Sequence, residues 1–452
     1  MITRGLLRLA ALAALAAAGC GAPEGTVRLS ITTAPDSDVM ESVERVVLTL
    51  SDPPAVTEAE RGPDGAFELA LDVVADGERG RITFEGFDAT GDLVAVGYAG
   101  PLPIAAITVG VELYVAAPES FAAAPVALEP ARTEIGAAPL VYGAMLAGGR
   151  DEAGEVLDDA LIYNVHGHAF QIGEPLPEPR AAPALAARPP AGPVYIFGGR
   201  NDAGDATQSG WSFDAQAPPA GIYAPLDVGA GLAREGARAA PLGDEAILVT
   251  GDPPVEIDAA TASARPFGGA PALAGTATAT AHGDDPLVFV TGDDPDEPRA
   301  ARWGRDGLVV LDAPGALARR GHGAAALRGG DVLVVGGVGG DGPLSSAVRY
   351  RIADDAFEVI DEFLTTPREG AAIAATRDRL VVIGGTDGAG DVLADAEIFD
   401  AETLEPLEVA PLVAPRAQAA AIALENGQIL VAGGVGDDGD PVAVLELYTP
   451  SP

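Results

Sequence analysis

Two textures of apolar residue divide this chain. Across residues 26–117 apolar and polar positions alternate with a period of two, as in Val27-Arg28-Leu29-Ser30-Ile31, Val46-Val47-Leu48-Thr49-Leu50, Phe67-Glu68-Leu69-Ala70-Leu71 and Arg81-Ile82-Thr83-Phe84. Alternation of this kind marks strands with one buried and one solvated face. Turn residues interrupt it at about every tenth position, the rhythm of a small β-sandwich. The pattern predicts one such sandwich over 26–117.

From residue 118 onward the alternation gives way to continuous apolar runs, each cut off by glycine. The runs end at Gly148-Gly149, Gly198-Gly199, Gly336-Gly337, Gly384-Gly385 and Gly433-Gly434, with degraded copies at Thr250-Gly251 and Thr291-Gly292. The seven copies recur at about 41 to 52 residues, the period of propellers and repeat arrays. A continuous run fits a strand buried on both faces. About 16 residues before each doublet stands an arginine: Arg132, Arg180, Arg234, Arg320, Arg368 and Arg416, with Gly275 in that place in the fourth copy. Between arginine and run lies a small, alanine-rich strand. Beyond the doublet comes an aromatic: Tyr163, Phe213, Trp303, Tyr350, Phe399 or Tyr448.

This order of features resembles the kelch repeat, and Phe399-Asp400-Ala401-Glu402-Thr403 looks like the turn between the third and fourth strands of that family's unit. The resemblance implies a β-propeller of four-stranded blades over 118–452. The expected fold is therefore all-β: an N-terminal sandwich of immunoglobulin-like size, then a seven-bladed propeller, or a six-bladed one if the compressed third copy is not a blade. The array ends after a third strand, so the missing fourth should come from about Phe121 to Leu128 and close the ring. Residues repeated in six copies suit structure better than catalysis. The arginines are expected to hold loop carboxylates or carbonyls through charge-assisted bonds.

Charge narrows the partners. The formal net charge is -40, and every basic residue is an arginine. An acidic chain is repelled by phosphate backbones and anionic lipid surfaces, which argues against nucleic acid. The N-terminus adds an address. Residues 1–19 carry Arg4 and Arg8 ahead of the apolar stretch Leu9 to Leu15, as a secretory signal peptide does. Leu15-Ala16-Ala17-Ala18-Gly19-Cys20 resembles the lipobox of bacterial lipoproteins, although that family prefers leucine where Ala17 stands. The resemblance implies that Cys20 is acylated, that 20–25 is a spacer, and that the protein sits outside the cytoplasm at the outer membrane of a Gram-negative cell. The membrane is then met through the lipid alone.

Candidate chemistry is sparse. Gly337-Val338-Gly339-Gly340-Asp341-Gly342 matches a dinucleotide fingerprint, but a strand rather than a helix is expected after it. The loops after the doublets are acidic: Asp151 and Glu152, Asp202 and Asp205, Asp293, Asp294 and Asp296, Asp387 and Asp391, Asp437, Asp438 and Asp440. Such carboxylates can ligate calcium, yet none follows a twelve-residue calcium loop, and aspartate with glycine is also what turns need. Of the four histidines, His166 and His168 share the first copy while His282 and His322 fall in two others, which disfavours a three-histidine metal site. No Gly-x-Ser-x-Gly elbow occurs. Among secreted kelch-like enzymes, a galactose-oxidase-like copper site would need a second cysteine, and the sialidase Ser-x-Asp-x-Gly-x-Thr-Trp box is missing. The expectation is a binding or scaffold protein without a cofactor, engaging another envelope protein or a glycan. An epimerase-like carbohydrate enzyme and a purely structural envelope component are the alternatives.

Overall fold

The computed structural model describes residues 27–452 apart from 53, 68–78, 104–108, 188–191, 215–221, 227–237, 243–245, 251–253, 259, 262, 267–276, 281–286, 292–297 and 305–306. The described residues are all-β, without an α-helix. The proposed leader, Cys20, Arg234, Gly251, Gly292, Gly275, His282 and the Asp293–Asp296 loop lie outside them.

The N-terminal part builds strands β1 (Val27–Thr32), β2 (Arg45–Ser51), β3 (Pro54–Glu60), β4 (Arg79–Phe87), β5 (Leu93–Pro103) and β6 (Val109–Ala116). The alternation predicts two facing sheets. The described residues instead form one six-stranded sheet, in the order β1-β6-β5-β4-β2-β3, with β1 parallel to β6. Val46, Leu48 and Leu50 of β2, Ile82 and Phe84 of β4, and Val111, Leu113 and Val115 of β6 all enter one core, closed by Val43 and Phe67. A single face that feeds a single core must curl around it. A period of two shows that one face is buried, but not whether a second sheet or the sheet's own curvature buries it.

The remaining strands form seven four-stranded antiparallel sheets and two two-stranded ones among the described residues. In the sixth, strand one (Ala372–Ala375) pairs with strand two (Arg379–Ile383), which pairs with strand three (Asp395–Asp400), which pairs with strand four (Pro406–Pro411). Leu380 to Ile383 are buried on both faces, and so are Val332 to Val335 and Ile429 to Ala432 in their own sheets. The apolar runs thus sit between neighbouring sheets, where continuity rather than alternation is required.

The first strands run Gly136–Leu140, Ala184–Ala187, Ala239–Leu242, Ala277–Thr280, Gly323–Ala326, Ala372–Ala375 and Ala420–Ala423. Each packs on the next, and the last packs on the first. The seventh sheet takes its outer strand from β7 (Ser120–Ala127), which precedes the whole array and lies antiparallel to Val444–Thr449, with Phe121 opposite Tyr448. Glu119 fastens this closure: its carboxylate accepts bonds from the Arg379 guanidinium, the Tyr448 hydroxyl and the Ser451 amide. Burial opposes its ionisation, but those three donors outweigh burial and hold the carboxyl below its usual range.

Candidate functional site

Five arginines are the largest fully buried side chains of the array: Arg132, Arg180, Arg319, Arg368 and Arg416. Their role follows from the glycine doublets. A run buried on both faces must turn away sharply at its end, and Gly384 does so with φ +57°. That bend leaves the Gly384 carbonyl facing inward, and Arg368 Nη1 donates to it at 3.1 Å. The same bond joins Arg132 to Gly148 (3.3 Å), Arg319 to Gly336 (3.0 Å) and Arg416 to Gly433 (3.2 Å), and Arg180 likewise donates to Gly198. The glycine also meets the following sheet. A Cβ on Gly384 would lie 2.0 Å from the Arg416 carbonyl oxygen, and one on Gly433 would lie 2.5 Å from that of Arg132, across the closing seam.

In the fifth copy the buried side chain is Arg319, not the Arg320 expected from spacing. Arg320 stands one place on, and its backbone pairs with Val338. The register is set by a different mark. Two residues after each buried arginine the backbone enters the left-handed region: Glu134 (φ 54°), Ala182 (49°), Gly321 (60°), Gly370 (62°) and Gln418 (56°). These residues stitch neighbouring sheets together. Ala182 N–H donates to Glu134 O at 2.7 Å, Gly370 N–H to Gly321 O at 2.8 Å, and Gln418 N–H to Gly370 O at 2.7 Å. Since three of the five are not glycine, composition did not reveal the position.

What faces each guanidinium from the third strand varies. In the last two sheets it is a glutamate two places before the aromatic. Glu397 accepts Arg368 Nη2 at 2.7 Å and the amides of Thr365 and Thr366. Glu446, with no exposed surface, accepts Arg416 and the amides of Val413 and Ala414. In the second sheet Trp211 takes that place, and Arg180 lies 4.2 Å from the centre of its ring. In the fifth, Arg319 has only neutral acceptors, Ala316, Gly336 and Ser346, and burial lowers its guanidinium to about 10. All five are sequestered, so none can reach a ligand on the surface.

The acidic loops form the hairpins between second and third strands, on the same side of the array as the arginines. Their aspartates mostly close turns. Asp387 Oδ1 accepts the amides of Ala389 and Asp391, Asp151 Oδ1 that of Glu155, and Asp438 Oδ1 that of Asp440. Among the described residues no three His, Cys, Asp or Glu groups converge as a metal site would require. The Gly337–Gly342 stretch pairs Val338–Gly339 with Gly342–Pro343, and strand Ala347–Arg351 follows.

On the opposite side of the array the N-terminal sheet meets the first and seventh sheets. Tyr98 of β5 donates to Pro450 O at 2.9 Å, Asn426 donates to Tyr98 O at 3.4 Å, and Glu112 N of β6 donates to His166 O at 2.9 Å. Asn426 lies in a turn from first to second strand and His166 in one from third to fourth, and Pro450 follows the third strand of the seventh sheet at the same end. The hairpin side is left uncovered by that sheet.

No curated protein matches the chain significantly. Residues 367–405, which hold Arg368, the first three strands of the sixth sheet and the Asp400 turn, match the family model of the kelch motif, which supports a kelch-repeat protein with a propeller of the kind that mediates protein interaction.

Proposed function

We propose that this chain is a lipid-anchored, extracytoplasmic scaffold at the outer membrane of a Gram-negative cell, whose seven-bladed kelch propeller binds another envelope protein. The observation that carries the reading is the docking of the N-terminal sheet on one side of the array, at its first and seventh sheets. Cys20 precedes β1 by seven residues, a span of at most about 25 Å. An acyl chain on Cys20 would therefore hold the side that bears the N-terminal sheet toward the lipid and turn the hairpins, with exposed Asp202, Asp391 and Asp437, toward a partner. The buried arginines give those hairpins a rigid base.

The test compares wild type with Asp202→Arg/Asp391→Arg/Asp437→Arg in capture from envelope extract, alongside Cys20→Ala in membrane fractionation. The scaffold reading expects the triple variant to lose the captured protein and Cys20→Ala to become soluble. Unchanged capture would move the binding surface elsewhere. Binding on a glycan array without protein capture would make the ligand carbohydrate.

A further inference from the structure

Two histidines, His168 buried and His166 half-buried, stand at the contact between the N-terminal sheet and the array. His166 and His168 lie in the turn joining strand Ala160–Asn164 to strand Ala169–Ile172. His168 is 1% exposed. Its Nδ1 meets the Tyr163 hydroxyl at 2.8 Å, and its ring stands 5.5 Å from that of Tyr114 on β6. Its Nε2 is buried without a hydrogen-bond partner, and so are both ring nitrogens of His166, whose ring lies 5.5 Å from Tyr142. The backbone of the same turn is bonded to β6 through Glu112 N–H to His166 O.

The surroundings offer little to a positive charge. From β6 come Glu112 and Tyr114, from the array's own third strand Tyr163, and from the preceding turn Tyr142. The Tyr142 hydroxyl already accepts a bond from Arg79 of β4. β5 contributes Gly100, and the last sheet contributes Asn426 beside it. Glu112 is thus the one carboxylate among these neighbours, Arg79 adds a like charge, and neither histidine ring is bonded to an acid.

We propose that His166 and His168 form an acid-released clasp, seating the N-terminal sheet on the array while neutral and expelling it once protonated. An imidazolium has two N–H donors and a charge to satisfy, and three of these four ring nitrogens form no hydrogen bond, the Glu112 backbone being the one neighbouring group that favours charge on His168. Undocking returns the rings to water, where histidine titrates near its ordinary value. Burial lowers both histidines in the docked form, and for His168 it outweighs the opposing Glu112 backbone contact and takes the ring from 6.5 to about 4. A depressed value means that the docked form binds fewer protons. Docking is therefore fully favoured above pH 6.5 and is lost progressively as pH falls toward 4. For His168 alone the interval corresponds to roughly a 300-fold change in the docking equilibrium. The side of the propeller left uncovered would then hold one orientation to the N-terminal sheet at neutral pH and many in acid.

Hydrogen exchange on the full chain at pH 7.5 and 4.5, corrected for intrinsic rates, tests the clasp. The Glu112 amide reports docking, and the amides of Ile429–Ala432 report the array. Protection at Glu112 should fall at least tenfold at pH 4.5 while Ile429–Ala432 stay protected, and His166→Gln/His168→Gln should abolish the difference. Unchanged Glu112 protection overturns the proposal, as does the same loss in the variant, or simultaneous loss in both segments. If the variant does not fold, proton NMR of the wild-type imidazoles decides. His166 and His168 titrating near 6.5 with Glu112 still protected refute the clasp, and titration below about 5.5 supports it.

Discussion

Arg416→Ala exposes how much the buried arginines contribute. Arg416 has no exposed surface and donates to Gly433 O (3.2 Å), Val444 O (3.1 Å) and Glu446, itself fully buried. Truncation strands the Glu446 carboxylate with only the amides of Val413 and Ala414, at 2.8 and 3.1 Å. Removing one partner of a buried ion pair costs about 3–5 kcal/mol, and three carbonyls, those of Ala414, Gly433 and Val444, losing their donor place this site at the upper end. Arg180→Ala should be milder, about 1–2 kcal/mol, because its carboxylate partner Glu178 is 56% exposed and simply rehydrates. Arg416→Met/Glu446→Leu should recover much of the loss, since apolar replacement of both partners leaves no stranded charge. Urea unfolding followed by tryptophan fluorescence, analysed with a common m-value, ranks the variants. An Arg416→Ala midpoint matching wild type would refute the reasoning, and so would a double variant no more stable than the single one.

Three further outcomes follow from the same geometry. Ala182→Gly should raise stability by about 0.5–1 kcal/mol, because φ 49° suits glycine, measured as a rise in urea midpoint. Gly384→Ala should leave little folded protein by circular dichroism, because its Cβ would fall 2.0 Å from the Arg416 carbonyl oxygen. Glu119→Gln should lower stability at pH 7 by about 1–3 kcal/mol by removing the charge-assisted bonds from Arg379. The folded Glu119 carboxyl is depressed, so the wild-type advantage exists above the ordinary glutamate range and disappears on acidification. Urea midpoints of the two proteins should therefore converge in acid.

The array was legible because each of its constraints writes itself into residue type. Burial on both faces demands Val332-Leu333-Val334-Val335, and the turn after it demands Gly336-Gly337. The misplacement at Arg319 has an equally local cause. Spacing cannot distinguish adjacent arginines, and the left-handed residue that fixes the register is Glu134, Ala182 or Gln418 as readily as glycine. The partners on or just before the third strand are not legible, because glutamate, tryptophan and serine have no common pattern although each solves the same burial problem. In the N-terminal part, the pairing of β1 with β6 joins segments some eighty residues apart, as Val27 opposite Val109 shows, and no short-range pattern encodes such pairing.

The seam at β7 has a consequence for how the molecule is made. Ser120–Ala127 is synthesised before every other strand of the seven sheets, yet its partner Val444–Thr449 follows all of them. Throughout elongation an early strand must wait, unpaired, for a late one. Contacts of such long sequence separation slow folding, and waiting strands are prone to pair with the wrong neighbour. A nascent chain stalled anywhere in the last repeat would carry two open edges and should be a target for chaperones and proteases in a way that the finished circle is not.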